Sequence, residues 1–522
     1  MTPSSTRRRP RHAKSHIAVR VAHALLGCVV GILWLVLPVM TIRAEDPVPM
    51  ARVTAAPEEG GTSPTDLVLP LAVVAVAAVL AGYGYLRRTR RARSRTTPGV
   101  VSAQPPAPSV HDFERQARTS LVEADDSVRT SREELAFAEA RFGAAAVEPF
   151  AQALRAAETE LAAAFAIWRR FERGAPGDET ARRQALVGIV GRCAEAGRRL
   201  DAEAAGFDQL RSLEAGVGEA LRIAEGRFRE LTGRTADAQA ALAELGGRYT
   251  PSATASVTGY VEQAKDRLVF ATSQLNRARQ ADDSGDGERA ARALRAAEGA
   301  VAQAGVLVSG VERLAGDLKT AAELVPAALT GGEVEIAEAR KRPAGTSAPL
   351  LPDGELRARV AHADVALAAV REELTGGPYD PVDALRRISG TVGLLGVGRA
   401  GVMARAARFT ADGAVSAASD FVATHRGAVG AEARTLLAEA ERLLAADAGD
   451  YAAADALARE ARELAERDVR ERGNPYDGAA EHANGLAGAV LGGILLGEEA
   501  DGGPPVSFGG PETRARRTLS QG

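Results

Sequence analysis

The strongest constraint on this chain is a spacing. From Ala117 onward, apolar or small residues return at alternating intervals of four and three: Ala117, Leu121, Ala124, Val128, Ser131, Leu135, Ala138 and Phe142. The rhythm repeats in Phe150, Leu154, Ala157, Leu161, Ala164, Trp168 and Phe171. It returns, with one glycine in the seam, in Leu186, Val190, Cys193, Gly197, Leu200, Ala204 and Phe207. Three further seams are Leu221, Ala224, Phe228, Leu231, Thr235, Ala238, Leu242 and Leu245; Val261, Ala264, Leu268, Ala271, Leu275 and Ala278; and Leu294, Ala297, Val301, Ala304, Val308, Val311, Ala315 and Leu318. A mean repeat of about 3.5 places each set on one helix face. A strand would need a period of two. The seams therefore predict an all-α fold of long helices.

Several seams alternate a large residue with alanine, so neighbouring helices can approach closely. That favours tight antiparallel hairpins in a long coiled-coil or helical-hairpin bundle. Aromatic residues make up only 4% of the chain, so alanine and leucine must supply most of the core. Turns are expected at Gly174–Gly177, Gly246–Pro251 and Asp282–Gly287. Each long helix then has roughly 25–35 residues, about 40–50 Å of rise. The heptad region is placed at 111–329, a Gly/Pro-rich loop at 330–354, a helical hairpin region at 355–472 and a Gly-rich flexible tail at 473–522. Within that tail LAGAVLGGILLG, Leu486–Gly497, is too short to span a bilayer. It reads equally as a small glycine-spaced helix or as an apolar patch without structure. GPYDPVDAL at Gly377–Leu385, GDYAAADAL at Gly449–Leu457 and DGERAARAL at Asp286–Leu294 resemble one another. Their separations differ, so they mark recurrent hairpins without a fixed repeat period.

The N-terminal part is built differently. A basic start carrying Arg7, Arg8, Arg9, Arg11, Lys14 and Arg20 precedes an apolar run from Val21 to Ile42. With the small residue Ala44 after it, segment 1–44 reads as a secretory signal peptide or an uncleaved anchor. Residues 45–66 form a short extracytoplasmic linker. The second run, Leu67–Leu86, holds twenty residues without a charge, enough to cross about 30 Å of hydrocarbon. Arg87, Arg88, Arg90, Arg91, Arg93 and Arg95 follow it, so by the positive-inside rule this end is cytoplasmic. Segment 87–110 joins this basic cluster to a Pro-rich linker. The expected protein is a single-pass cell-membrane protein with a short segment outside and its body inside.

Charge and motif content narrow the chemistry. Residues 1–95 hold 14 of the 65 Lys/Arg and 5 of the 68 Asp/Glu, leaving 51 basic against 63 acidic residues beyond them, net −12. Such an acidic body argues against nucleic acid as its main partner. Cys28 and Cys193 are far apart and make no metal cluster; Cys193 sits in a seam, where a buried inert thiol is expected. GVGRAG at Gly396–Gly401 satisfies G-x-G-x-x-G, but a dinucleotide site also needs a preceding strand and a βαβ unit. The seven histidines are scattered, and His425 reads as a cap or surface residue. Carboxylates near arginines, as at Glu133, Glu134 and Arg141, read as a solvated helix face. No catalytic, cofactor-binding or metal-binding residue, no cofactor and no small-molecule substrate emerges from this reading.

Several phrases nevertheless have a familiar wording: RTTPG at Arg95–Gly99, VRTSREELAFAEARFG at Val128–Gly143 and ELTGRTADAQAALAEL at Glu230–Leu245. So do VEQAKDRLVFATSQLNRARQA at Val261–Ala281, GPYDPVDALRR at Gly377–Arg387, THRGAVGAEARTLLAEA at Thr424–Ala440 and AREARELAERDVRERGNPYDG at Ala458–Gly478. In them the chain resembles the membrane-anchored TPM-domain proteins of actinobacteria, over the transmembrane and cytoplasmic helical region that follows their TPM domain. The resemblance implies a signal peptide, an outer α/β domain linked to phosphatase or complex-maintenance roles, a membrane helix, a helical cytoplasmic region and a glycine-rich tail. Glu45–Asp66 is too short to hold that outer domain, so the resemblance transfers no phosphatase activity. Residues 388–418 also depart from the charged helical pattern of such proteins. The function expected is a non-catalytic, membrane-anchored helical scaffold that self-associates or binds a helical partner. The alternatives are a membrane-surface envelope-stress sensor and a partner subunit of a TPM-type phosphatase.

Overall fold

The computed structural model describes residues 109–341, 353–395, 401–446, 449–472, 485–495 and 505–519. The signal segment, the linker 45–66, the span Leu67–Leu86 and the arginines at 87, 88, 90, 91, 93 and 95 lie outside the described residues. Among the described residues no helix is long and apolar enough to cross a membrane.

Helices α1 (Val110–Phe142), α2 (Ala144–Glu172) and α3 (Glu179–Arg211) open the body. They pack on one another around a shared core. Ser109 starts α1 with a capping box: its hydroxyl accepts from the Asp112 amide, and the Asp112 carboxylate accepts from the Ser109 amide. Gly143, at φ +80°, separates α1 from α2 in a single residue. Phe150, near the start of α2, meets Phe207, near the end of α3, edge-on at 5.3 Å. The first seam is buried from Ala117 to Ala138 and the second from Phe150 to Phe171. In the third, Ile189 is buried and Val190 is only half-buried. A straight helix drifts by about 20° per heptad against a 3.5 repeat, so a neighbouring residue takes over the seam.

Next come α4 (Gly218–Arg248), the single turn α5 (Pro251–Thr254), α6 (Tyr260–Asp283) and α7 (Gly287–Lys341). The turns expected at Gly174–Gly177, Gly246–Pro251 and Asp282–Gly287 coincide with helix boundaries. Helix α7 overturns two expectations. It runs for 55 residues, about 80 Å by helix rise, and it continues to Lys341 through the segment read as the start of a loop. Gly331 and Gly332 look like breakers in sequence. In the structure they serve close packing. A Cβ on Gly332 would meet Leu367 at 3.1 Å and Val392 at 3.2 Å. Along its length α7 packs against α4, α6, α8 (Asp353–Gly376), α9 (Pro381–Gly393) and α10 (Val402–Thr424).

Helices α11 (Ala431–Ala445) and α12 (Tyr451–Glu471) close a further core with α10. The segment 388–418, doubtful in sequence, is helical on both sides of the undescribed residues 396–400. The three related phrases each supply a helix cap: Asp286 for α7, Asp380 for α9 and Asp450 for α12. The capping aspartate falls at a different place in each phrase, so the likeness reflects shared N-cap chemistry.

The described parts of the expected flexible tail are a further correction. Helices α13 (Leu486–Leu491) and α14 (Pro511–Leu519) pack onto the body, with Ala489, Ile494 and Phe508 fully buried. Gly427 permits the approach of α13, since a Cβ there would lie 2.6 Å from the Val490 carbonyl oxygen.

Glycine placement on α7 yields a paired test. Gly332→Leu should cost about 1–3 kcal/mol by overpacking. Gly316→Ala, which opens onto free space on the same helix, should gain about 0.5–1 kcal/mol. Urea unfolding of both variants measures the contrast.

Candidate functional site

Helices built mainly from alanine and leucine leave little polar surface inside, so buried charges are conspicuous. Arg267, Arg426 and Arg434 are each at most 1% exposed. Burying a guanidinium is tolerated only when its donors and charge are met. Arg434, on α11, reaches back to the start of the body. Its Nη1 pairs with Asp125 and, at 2.8 Å, with Asp126 on α1, while Nε and Nη2 donate to the carbonyls of Val429 and Arg426. Arg426 grips Glu133 of α1 through both terminal nitrogens, at 2.7 and 3.0 Å. Arg267 of α6 donates to Gln303 of α7 at 3.2 Å and to the Thr424 carbonyl at 3.3 Å. Gln303 in turn donates to the Gly492 carbonyl at 2.6 Å, which ties in α13. Burial raises the Asp125 carboxyl, but Arg129 and Arg434 outweigh it and hold the group below the usual range.

A second cluster lies where α1, α3 and α7 meet. Arg211 donates to Glu134 at 2.9 Å and to both oxygens of Glu298 at 2.7 Å. Burial, together with the like charge of Glu134, raises Glu298 despite Arg211. Arg211 remains firmly protonated, because the two carboxylates outweigh its desolvation. Of the residues read as a solvated face, Glu134 is buried here, while Glu133 and Arg141 are half-buried: Glu133 meets Arg426, and Arg141 donates to the Arg211 carbonyl at 3.2 Å.

His425 takes the cap role and not the surface one: it is the C-cap of α10, and its backbone amide donates to the Phe421 carbonyl. It ends α10 at 3% exposure, stacked on Phe421 at 4.1 Å. Its Nδ1 lies 3.0 Å from the Phe421 carbonyl, which only accepts, so Nδ1 carries the proton. Burial, then the charge of Arg267, pulls its pKa down to about 4. Cys193 is buried as expected, and burial pushes its thiol up to about 12.

Beside this lattice lies a cavity of about 260 Å³ between α5, α6, α7, α9, α10 and α12. Arg313, Arg386, Arg459 and Arg462 line it together with Asp317, Asp380 and Asp420. The arginines already have carboxylate partners. Arg313 pairs with Asp420, Arg386 and Arg459 share Asp455, and Arg462 pairs with Glu466 at 2.9 Å. Arg462 also donates to the Tyr260 hydroxyl at 3.3 Å. Burial raises both Asp317 and Asp420, with Arg313 opposing it. Of the GVGRAG segment only Gly401 is among the described residues. Thr391–Gly393 ends helix α9 instead of a strand, and Gly401 stands before α10 at φ +81°.

Two curated relatives match the chain over about three quarters of its length. The chain is similar to UPF0603 proteins of Mycobacterium tuberculosis. With those of strains CDC 1551 / Oshkosh and ATCC 25618 / H37Rv it is 32% identical over 426 residues, covering 76% of this chain. The match spans 64% of each relative's own length. No family model matches the chain. No solved structure matches it either.

The topological arginines named from sequence are outside the described residues, so none of them enters this geometry. The buried arginines carried no sequence signal. Arg426 and Glu133 are 293 positions apart, and Arg434 and Asp125 are 309 apart.

Two outcomes follow from these charges. Arg211→Met strands two buried carboxylates and should cost about 3–5 kcal/mol, most of it recovered when Glu134→Leu and Glu298→Leu are added. His425 binds its proton less readily folded than unfolded. Its contribution is therefore complete above about pH 6.5 and is lost as pH falls towards about 4, a change of roughly 3 kcal/mol. Urea titrations of wild type and His425→Gln across that window measure the difference, and the variant should lack this slope.

Proposed function

We propose that the helical body is a non-catalytic interaction platform of packed helical hairpins, carried on the inner face of the cell membrane by Leu67–Leu86. The observation that carries this reading is the use made of the buried charges. Asp125, Asp126, Glu133, Glu134 and Glu298 are held by guanidiniums that join distant helices, and the Asp420 carboxylate in the cavity is held the same way. A general base needs a free lone pair at a substrate, and a nucleophile needs an activating neighbour. These carboxylates are engaged in stiffening the body. Stiffness suits a surface that must present fixed helix faces to a partner or a second copy.

The membrane placement rests on the uncharged run and on Arg87, Arg88, Arg90, Arg91, Arg93 and Arg95 after it. The phrase resemblance to TPM-domain proteins supports a relative that lacks the outer domain, with Glu45–Asp66 in its place. On that reading the platform serves self-association or a helical partner; the alternative is that the chain is a partner subunit of a separately encoded TPM-type protein.

The experiment is a hydrolysis assay on the purified full chain with p-nitrophenyl phosphate. The expected result is turnover at the buffer rate. Turnover above buffer that disappears in Asp317→Asn or Asp420→Asn would replace the platform with an enzyme. A periplasmic phosphatase reporter fused after Gly99 should stay silent; an active fusion would reverse the topology.

A further inference from the structure

The end of the chain is held in a way that differs from the rest of the body. Residues Val506–Arg516 leave a single antiparallel bridge, Leu495 with Pro505, and cross the faces of α1 and α3. Phe508 is fully buried between Phe207, stacked at 4.3 Å, and Phe150, edge-on at 6.1 Å. Gly509 has φ +131°, a backbone that side chains rarely adopt, and its amide donates to the Ser131 hydroxyl at 3.2 Å. Gly510 lies against Gly197 on α3, where a Cβ would come 2.7 Å from Pro511 Cδ.

One carboxylate then reads the backbone. Asp201 accepts from the amides of Gly510, Glu512 and Thr513 at 2.9, 3.3 and 3.0 Å, and from the Thr513 hydroxyl at 2.6 Å. It thus satisfies the exposed donors at the start of α14 from another helix. Arg514 donates to the Asp126 carbonyl at 2.8 Å. An aromatic anchor, a conformation only glycine adopts freely, a proline fitted over a glycine and a carboxylate on successive amides are together the recognition of a short extended peptide. Hydrophobic anchoring fixes affinity, and the polar contacts fix register.

We propose that this face of α1 and α3 is a peptide-binding groove for the motif Phe-Gly-Gly-Pro-Glu-Thr-Arg. The chain's own Phe508–Arg514 occupies it as a tethered ligand, and the partner it fits in trans is the same segment of a second copy. A tether holds the segment at an effective concentration in the millimolar range, so occupation in cis requires only modest intrinsic affinity. Exchange between copies then links platforms without any new interface.

The test uses full-length chains and a fluorescein-labelled peptide of residues 505–519. Phe508→Ala weakens the tethered segment and frees the groove, and Gly509→Val evicts it by backbone strain while keeping the phenylalanine. Each variant should bind the peptide saturably. Wild type, its groove filled, should bind at least tenfold more weakly, and adding Asp201→Lys to either variant should weaken binding at least tenfold. Mixing the Phe508→Ala chain with an Asp201→Lys chain, one with a free groove and the other with a free segment, should give a 1:1 complex by light scattering that neither forms alone. Absence of saturable binding to both folded variants would overturn the groove, as would binding that ignores Asp201→Lys. If neither variant folds, the segment is a permanent part of the core and the proposal fails. Peptide binding without the mixed complex would overturn the exchange between copies.

Discussion

Buried guanidiniums joined to carboxylates on distant helices are the constraint on which this structure depends. An alanine- and leucine-rich body can bury apolar surface in several registers, because cores tolerate exchanges among hydrophobic residues that keep total volume and patterning. A buried arginine allows no such latitude. Arg434 must meet Asp125 and Asp126, and Arg426 must meet Glu133, or several kcal/mol of uncompensated charge remain inside. These two residues flank the start of α11, so the second half of the chain is registered against the first helix. Arg211 does the same for α1, α3 and α7 through Glu134 and Glu298.

The 55-residue α7 supplies the continuity. It shares one core with α4 and α6, and another with α8, α9 and α10. One helix thus serves two cores, and buried ion pairs fasten the body at a few charged points. Burial within that arrangement is by itself enough to shift titrating groups. Glu298, Asp420 and His425 are shifted by burial within a structural lattice. Perturbed groups often mark function, but ion-pair networks perturb them equally.

Much of the fold was legible in the sequence. Each heptad seam reports which face of its own helix is apolar, and that information is local. Leu121, Leu154, Leu200, Ala264 and Leu294 are buried as their spacing requires. What failed were inferences about glycine and charge. Gly331 and Gly332 act as spacers inside α7, where their missing side chains admit neighbours, although in sequence they look like breakers. The tail read as loose because it is rich in glycine, whereas those glycines bring α13 close to Arg267, Gln303 and Arg426. Glu133 and Glu134 looked like surface charge, because an i,i+4 pattern does not reveal partners 293 and 77 residues away. The candidate site depends on such long-range pairs, so almost none of it could be read from local spacing.

Native-state hydrogen exchange on the full chain tests the central claim most directly. If the arginine lattice registers the two halves, amides in α1 and α11 share one opening free energy, and Arg434→Met lowers both together. Exchange of α11 and α12 at a lower free energy of their own, with α1 unchanged by Arg434→Met, would contradict the account.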